Sequence, residues 1–239
     1  MAVCFALIQF GGGVSQIRGS IAGTTFSRNR AGAIARGRTK PINPGTIRQS
    51  EVRASFGSAS TAWGGLTSAQ IAEWDAYASL MKRINKLGEE YTPKGRQIFM
   101  EVTQNLLVVG ETPINDPSGT TDVPSVTEIG TFTVGFTDPN IDELTVATVV
   151  SSFPGGGDGR LVFEATPPHS PKLTNVNNLF RQVQVLPADD PPFDLEAAYI
   201  STFGPTANVG QVIDLRVRAV DAVSGLGSSW LLTRSLPIE

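Results

Sequence analysis

The chain offers few side chains that could perform covalent or metal chemistry. It has 239 residues, with one cysteine, Cys4, and one histidine, His169. A Ser-His-Asp triad would have to use His169, but this residue lies in the stretch Pro-Pro-His-Ser-Pro and is expected to be exposed to solvent in a loop. One Cys and one His in a chain cannot form an intramolecular disulfide or a Cys/His zinc cluster.

A glycine-rich stretch and two acidic stretches are candidate ligand sites. Residues 153–161 read FPGGGDGRL, which lacks the Lys-Ser/Thr and the helix of a phosphate-binding loop and is interpreted as a long turn. The acidic stretches are Asp138, Asp142 and Glu143, and Asp189, Asp190 and Asp194. Such loops can hold Ca²⁺, but the EF-hand spacing is absent and solvated turn acids are favoured. Because no carboxylate pair is singled out for glycoside hydrolysis, we predict no enzymatic activity and no cofactor.

The clearest chemical signal is a set of cations without acids near the start of the chain. The first 50 residues contain no Asp or Glu but hold Arg18, Arg28, Arg30, Arg36, Arg38, Lys40 and Arg48. The net charge of −3 conceals this asymmetry: residues 1–110 hold 13 Lys and Arg against 6 Asp and Glu, whereas residues 111–239 hold 6 against 16. A split of this kind indicates a basic segment that interacts with a partner.

Six of these seven cations, all except Arg48, are expected on an extended arm, residues 1–45. The stretches TTFSR (24–28) and AIARGR (33–38) flank the turn sequence NRAG, which predicts a β-hairpin. Alternation along the strands predicts one face that carries the docking residues Phe26, Arg28, Arg30, Ile34, Arg36 and Arg38. An isolated hairpin is marginal in water, so the arm should be ordered by its own body or by another subunit. The opening MAVCFALIQF is too short to span a bilayer and is expected to be a terminal strand.

The rest of the chain predicts a helical domain and then a β-domain. Residues 46–112 show three amphipathic patterns, with Val52, Phe56, Ala59 and Trp63 as the apolar stripe of the first helix. Thr67 and Gln70 are placed for a capping box on the second helix, and Thr92 and Pro93 for the start of the third. Residues 113–239 hold seven candidate strands, TFTVGFT, ELTVATVVSSF, RLVFEAT, LFRQVQVL, AYISTF, QVIDLRVRAV and SSWLLTRSL. We therefore predict an α+β multidomain chain ending in an antiparallel β-sandwich.

Two resemblances add to these predictions. The stretch QVIDLRVRAVDAVSGLGSSW, residues 211–230, resembles the last hairpin of fibronectin type III and related immunoglobulin-like domains, which implies an Ig-like fold for residues 113–239. Residues 17–78 are similar to the N-terminal region of a group of bacteriophage and prophage proteins, mostly of unassigned function. The shared features here are Thr25-Phe26-Ser27-Arg28-Asn29-Arg30-Ala31-Gly32, Arg36, Arg38, Pro41-Ile42-Asn43-Pro44, Gln49, Trp63, Leu66-Thr67-Ser68-Ala69-Gln70 and Trp74. This second resemblance implies a virion or virion-associated protein.

Three kinds of partner could balance the basic arm. Nucleic acid would match its cations, but the second and third predicted helices carry mixed charge and no basic stripe, so it is the less favoured partner. The acidic half of this chain or of a neighbouring copy is the second partner. The third is a larger assembly surface such as a capsid shell, to which the arm could add a strand.

The resemblance to phage proteins makes the assembly surface the leading partner. The prediction is a non-enzymatic structural virion protein, made in the host cytoplasm, present in many copies and without a membrane partner. A head-associated cement or decoration component is the leading position. A tail, neck or baseplate protein, or a nucleic-acid-binding protein that uses the basic arm, is the alternative.

Overall fold

The computed structural model describes residues 5–7, 12, 16–29, 32–38, 43, 45–85, 87–137, 139–154 and 158–238. The chain divides into two compact units, Met1–Ser50 and Glu51–Glu239. The secondary structure is mixed, with helices and several antiparallel sheets, as the predicted α+β class requires. No helix in the described ranges is long and apolar enough to cross a membrane.

The first unit contains a four-stranded antiparallel sheet, hereafter the N-terminal sheet. Its strands are β1 (Phe5–Leu7), β2 (Gly19–Ile21), β3 (Thr24–Asn29) and β4 (Gly32–Gly37), in the order β1-β4-β3-β2. The pairing of β3 with β4 confirms the predicted hairpin. Gly32, at φ 130°, ends the hairpin connection in a conformation that favours glycine. The predicted two-stranded hairpin is therefore the centre of a larger sheet, since β1 and β2 extend it on both sides.

The helices in the described part of the chain are α1 (Ile47–Gly64), α2 (Ser68–Leu80), α3 (Gly95–Val109) and α4 (Glu196–Phe203). The predicted capping box of α2 is present, with the Gln70 backbone N–H donating to the Thr67 hydroxyl. The prediction for α3 was wrong by two residues, because this helix starts at Gly95, after Pro93. Gly95 lies against α2: a Cβ there would be 2.6 Å from Asp75 Oδ1 and 2.7 Å from the carbonyl carbon of Trp74. Only glycine allows α3 to start so close to α2.

Helices α2 and α3 form one apolar cluster. Trp74 and Phe99, both fully buried, make an edge-to-face contact at 5.3 Å, and the Trp74 indole N–H donates to the carbonyl oxygen of Asn115 at 2.7 Å. The predicted stripe of α1 is only half correct. Ala59 is buried and Trp63 packs on the cluster, whereas Val52 and Phe56 are 59% and 58% exposed. The reason is that α1 is covered only along its second half.

The remaining strands all belong to the second unit. They are β5 (Arg83–Ile84), β6 (Glu90–Tyr91), β7 (Ser125–Ile129), β8 (Phe132–Thr137), β9 (Asn140–Val146), β10 (Val149–Ser152), β11 (Gly159–Ala165), β12 (Arg181–Pro187), β13 (Phe193–Asp194), β14 (Asp214–Asp221) and β15 (Leu231–Arg234). One antiparallel sheet has the order β12-β11-β14-β15 and another the order β13-β9-β8. Strand β7 pairs with β10, and β5 with β6.

The large apolar core lies between these sheets. Alternate residues of β11 and β14 are buried in it, as expected for strands with one face inside: Leu161, Phe163, Ala165, Leu215, Val217 and Ala219. Leu226 belongs to the helical cluster instead, so the loop after β14 contributes to a second core. The predicted domain boundaries at 45/46 and 112/113 stay predictions.

Two predicted strands were wrong. ELTVATVVSSF, residues 143–153, is not one strand: it contains the end of β9 and all of β10, which belong to different sheets. AYISTF, residues 198–203, belongs to helix α4. Tyr199 and Phe203 are four residues apart and therefore lie on one face of the helix, where their rings are 4.9 Å apart. Tyr199 is fully buried and donates its hydroxyl to the carbonyl oxygen of Thr166. The packing of these two rings on one helix face therefore outweighs the β-propensity of the segment.

Burial of tyrosines predicts a loss of stability at high pH. Desolvation raises the pKa of Tyr199 and of Tyr77 above that of a free phenol. The unfolded phenol ionises with a pKa of about 10, whereas the buried phenol stays neutral to a higher pH. The folded state is therefore fully stable below about pH 10 and loses stability as the pH rises further, because only the unfolded chain can then release the proton. We expect the urea midpoint to fall above about pH 10, and to fall less steeply in Tyr199→Phe. An equal slope in both proteins would contradict the assignment to Tyr199.

Candidate docking surface

No side chain of residues 16–28 and 32–38 in the first unit is buried. Each is half-buried or exposed, and Ile21 is 67% exposed. The sheet is therefore a single layer within its own unit. Apolar side chains on such a layer remain available to a partner.

The register of the hairpin places the predicted docking residues on two faces. Phe26 lies opposite Ala35, Ser27 opposite Ile34 and Thr25 opposite Arg36. Directly opposite residues of an antiparallel pair share a face. Phe26 and Arg28 are therefore on one face, hereafter the Phe26 face, and Ile34 and Arg36 are on the other, hereafter the Ile34 face.

The single docking face predicted from alternation was therefore wrong. Two residues separate the paired Asn29 and Gly32, so even positions of β3 pair with odd positions of β4. Phe26 and Ile34, both even, must lie on opposite faces. Arg38 extends β4 past Gly37, with its N–H donating to the Gly23 carbonyl oxygen at 2.8 Å, and alternation assigns it to the Ile34 face. Arg30 lies outside the described residues.

Each face combines an apolar anchor with at least one guanidinium. On the Phe26 face, Phe26 and Ile21 accompany Arg28, with the small residues Ala33 and Ala35 opposite β3. On the Ile34 face, Ile34 accompanies Arg36, and the hydroxyls of Ser20 and Thr25 are hydrogen-bonded at 2.9 Å. Arg28, Arg36 and Arg38 are exposed. Since residues 1–50 contain no acid, no carboxylate of the unit can pair with these cations.

The edges of the N-terminal sheet are short. β2 pairs with β3 only at Thr24–Phe26, and β1 pairs with β4 only at Ile34–Arg36. In the described part of the sheet, residues 27–29 of β3 have no paired strand on the side where β2 lies. A backbone edge of this kind can accept another strand by hydrogen bonding.

His169 is buried, contrary to the prediction of a solvent-exposed loop residue. It is 7% exposed because the proline-rich stretch folds back, with hydrogen bonds in both directions between the backbones of His169 and Val212. Its Nε2 is 3.2 Å from Asp214 Oδ2 and its Nδ1 is 3.0 Å from the Ser170 carbonyl oxygen. Both ring nitrogens therefore face acceptors, and neither faces a nucleophile in the described part of the chain.

Asp214 is the centre of this buried polar cluster. Its carboxylate is fully buried and accepts two hydrogen bonds from Arg234, at 2.5 Å from Nε to Oδ1 and 2.9 Å from Nη2 to Oδ2. The bond to Asp214 raises the pKa of Arg234. The cluster joins the 166–170 segment to β14 and β15. We interpret it as a structural network, which the sequence did not reveal because its members are far apart in the chain.

The other sites considered from the sequence are explained by local structure. The Asp142 carboxylate accepts from the Thr137 hydroxyl, and an Asp194 oxygen accepts from the Glu196 backbone N–H at 3.0 Å. Asp138 and the three glycines at 155–157 lie outside the described residues. Among those that are described, no group of three or more His, Cys, Asp or Glu residues could hold a metal ion.

An open pocket of about 310 Å³ lies between the β5–β6 hairpin and the start of α3. Its wall includes Tyr91 and Gln97, and an ion pair of 2.8 Å joins Arg83 to Glu101 across it. Since these two charges compensate each other, the pocket presents no net charge to a ligand.

The free N-terminal unit should be the first part of the protein to be cleaved by trypsin. All its Lys and Arg sites lie in a unit whose described side chains include none that is buried, and such regions open at low free-energy cost. Brief digestion is expected to cut after arginines of the N-terminal sheet, such as Arg28, Arg36 and Arg38, and to leave the second unit intact, as read by mass spectrometry. Cleavage of both units at equal rates would show that the N-terminal sheet is as stable as the large core.

Comparisons with known proteins give no match: no family model, no curated protein and no solved structure is similar to this chain.

Proposed function

We propose that the chain is a non-enzymatic structural protein of a bacteriophage particle that docks through its N-terminal sheet. The observation that carries the proposal is the sheet itself, a single layer with exposed arginines, apolar anchors on both faces and no acid in its unit. A layer of this kind gains buried area and ion pairs only from a partner. The resemblance of residues 17–78 to phage proteins supports a virion as the place of docking.

Within the particle, we propose a head-associated cement or decoration role. The docked unit would hold Glu51–Glu239 at the surface, where its sheets add bulk and contact area. A tail, neck or baseplate position uses the same docking surface and stays the alternative.

We further infer that residues 113–239 form an Ig-like β-sandwich. Supporting this inference, the three strands β13-β9-β8 and the four strands β12-β11-β14-β15 share one core and are antiparallel throughout. The chain enters the first sheet with β8 and β9, moves to the second with β11 and β12, returns with β13 and ends with β14 and β15. The helix α4 and the connection 166–180 are additions to a compact domain of this type. Such a domain serves as a spacer or contact module.

A binding assay with particles lacking the protein tests the docking surface. Desolvated anchors usually dominate an interface, whereas single exposed charges contribute about 0–1 kcal/mol. We therefore expect Phe26→Ala to weaken cosedimentation with the particles more than Arg28→Ala does. Ile34→Ala is the matched variant for the other face. Weakening by only one of the two apolar variants would assign docking to that face, and normal binding of both would remove the N-terminal sheet as the docking surface.

The second candidate is nucleic-acid binding by the same cations. The exposed Arg28, Arg36 and Arg38 favour it, because guanidiniums without local acids match a phosphate backbone. Titration of the full chain with duplex DNA at low and physiological salt tests it. Salt-dependent DNA binding that Arg28→Gln, Arg36→Gln and Arg38→Gln together remove would support this candidate.

A further inference from the structure

The N-terminal sheet needs an acidic partner, and the chain itself carries an acidic surface. Residues 1–50 hold seven Lys and Arg and no acid, whereas residues 51–239 hold 12 Lys and Arg against 22 Asp and Glu. We propose that the N-terminal sheet of one copy binds the sheet β13-β9-β8 of a second copy, hereafter the acidic sheet. This inference rests on the proposed function, since it names a partner for the same docking surface.

The acidic sheet carries three exposed carboxylates and no cation. Asp142 and Glu143 both lie over Gly135 of the neighbouring strand, where a built Cβ would be 2.8 Å from Asp142 Oδ1 and 2.7 Å from Glu143 Cβ. Asp194 lies opposite Thr145, whose hydroxyl donates to Glu143 Oε1 at 3.1 Å. The strands β8, β9 and β13 contain no Lys or Arg. These neighbours place three negative charges close together.

The charges of the acidic sheet are hydrogen-bonded but not neutralised. Their donors are two threonine hydroxyls and one backbone N–H, all uncharged. In the ranges that the structure describes, none of the three carboxylates forms an ion pair with a Lys or Arg. Each therefore keeps acceptor positions and a full charge for a partner, and a guanidinium can occupy two acceptor positions at once.

The two sheets match in charge and in exposure. Arg36 and Arg38, which share the Ile34 face, are exposed and lack a carboxylate within their unit, and the three acids lack a cation within their sheet. The Ile34 face therefore carries the contact, since Arg28 lies on the opposite face. The opposite net charges, +7 for residues 1–50 and −10 for residues 51–239, would also steer the two copies together before contact.

This contact joins two different surfaces, so it is heterologous. Repetition of a heterologous contact gives a closed ring or an open filament, depending on the rotation between copies. Either product is a multicopy assembly.

The test is the mass of the full chain by sedimentation at low and high salt. The basic-neutral variant carries Arg28→Gln, Arg36→Gln and Arg38→Gln. The acid-neutral variant carries Asp142→Asn, Glu143→Gln and Asp194→Asn, which retain acceptors for the local hydrogen bonds. The matched control carries Asp122→Asn, Asp189→Asn and Asp190→Asn, which remove three exposed acids elsewhere in the second unit.

The wild-type mass should grow with concentration at low salt and return to that of the monomer at high salt. Each neutral variant alone should stay monomeric, and the control should associate like wild type. An equimolar mixture of the two neutral variants should stop at a 1:1 dimer, since only one complementary pair of surfaces remains. A monomeric wild type, a monomeric mixture, or an acid-neutral variant that associates like wild type would overturn the proposal.

These outcomes are separable from those of the proposed function. A chain that is present in particles but monomeric in solution at all salt concentrations keeps the docking role and loses the second copy as partner. A chain that self-associates as described but is absent from particles keeps this contact and loses the virion role. Association that requires added duplex DNA would assign the arginines to nucleic acid and overturn the contact between copies.

Discussion

Replacement of Arg28, Arg30, Arg36 and Arg38 by glutamine is expected to abolish docking at physiological salt. At up to about 1 kcal/mol for each surface charge, four losses weaken binding by up to about 4 kcal/mol, which is up to about a thousand-fold in Kd. The large core should be unaffected, because these residues belong to the first unit and lie outside the core of the second. Cosedimentation with particles and urea unfolding measure the two effects.

A second quadruple variant controls for net charge. Lys82, Lys94, Arg96 and Lys172 are exposed cations of the second unit, and their replacement by glutamine changes the net charge equally. This control should bind particles like wild type. Normal docking of the arginine variant would show that the N-terminal cations are not the docking groups. Normal docking with loss of DNA binding would identify nucleic acid as their partner.

Arg234→Ala is expected to cost about 3–5 kcal/mol of unfolding free energy. The substitution removes both guanidinium hydrogen bonds from Asp214, whose carboxylate is fully buried. Among the described residues, His169 is then its only remaining side-chain partner. Removal of one partner from a buried pair is costly because it leaves an uncompensated charge.

Two variants sharpen this second prediction. Asp214→Asn should cost less than Arg234→Ala, because the Arg234 side chain is 38% exposed and can be solvated. Lys82→Ala breaks the exposed pair with Glu90, 68% and 63% exposed, and should cost about 0–1 kcal/mol. Urea unfolding of all three variants gives the comparison. Equal costs for Arg234→Ala and Lys82→Ala would contradict a structural role for the cluster.

The sequence predicted those elements whose signals are local. The turn residues Asn29 and Gly32 located the β3–β4 hairpin, and Thr67 with Gln70 located the start of α2. The faces of the hairpin were predicted wrongly because they depend on the number of residues in its connection. A shift of one residue moves a side chain to the other face, so that alternation within each strand cannot relate Phe26 to Ile34.

Features set by distant residues were also not predictable. The burial of His169 depends on Asp214, 45 residues later, and on pairing with the backbone of Val212. The exposure of Phe56 depends on how far neighbouring helices cover α1, although its spacing from Ala59 and Trp63 is that of a buried stripe. For the candidate site, the residue types were evident from the sequence, whereas the single-layer sheet that carries them was not.

Mass spectrometry of gradient-purified phage particles tests the virion proposal most directly. We predict that peptides of this chain are present in intact particles, at a ratio to the major capsid protein that is constant across the particle peak. Trypsin added to intact particles should leave the bonds after Arg28, Arg36 and Arg38 uncut, because the docked sheet is covered. Absence of the chain from purified particles would contradict the structural role.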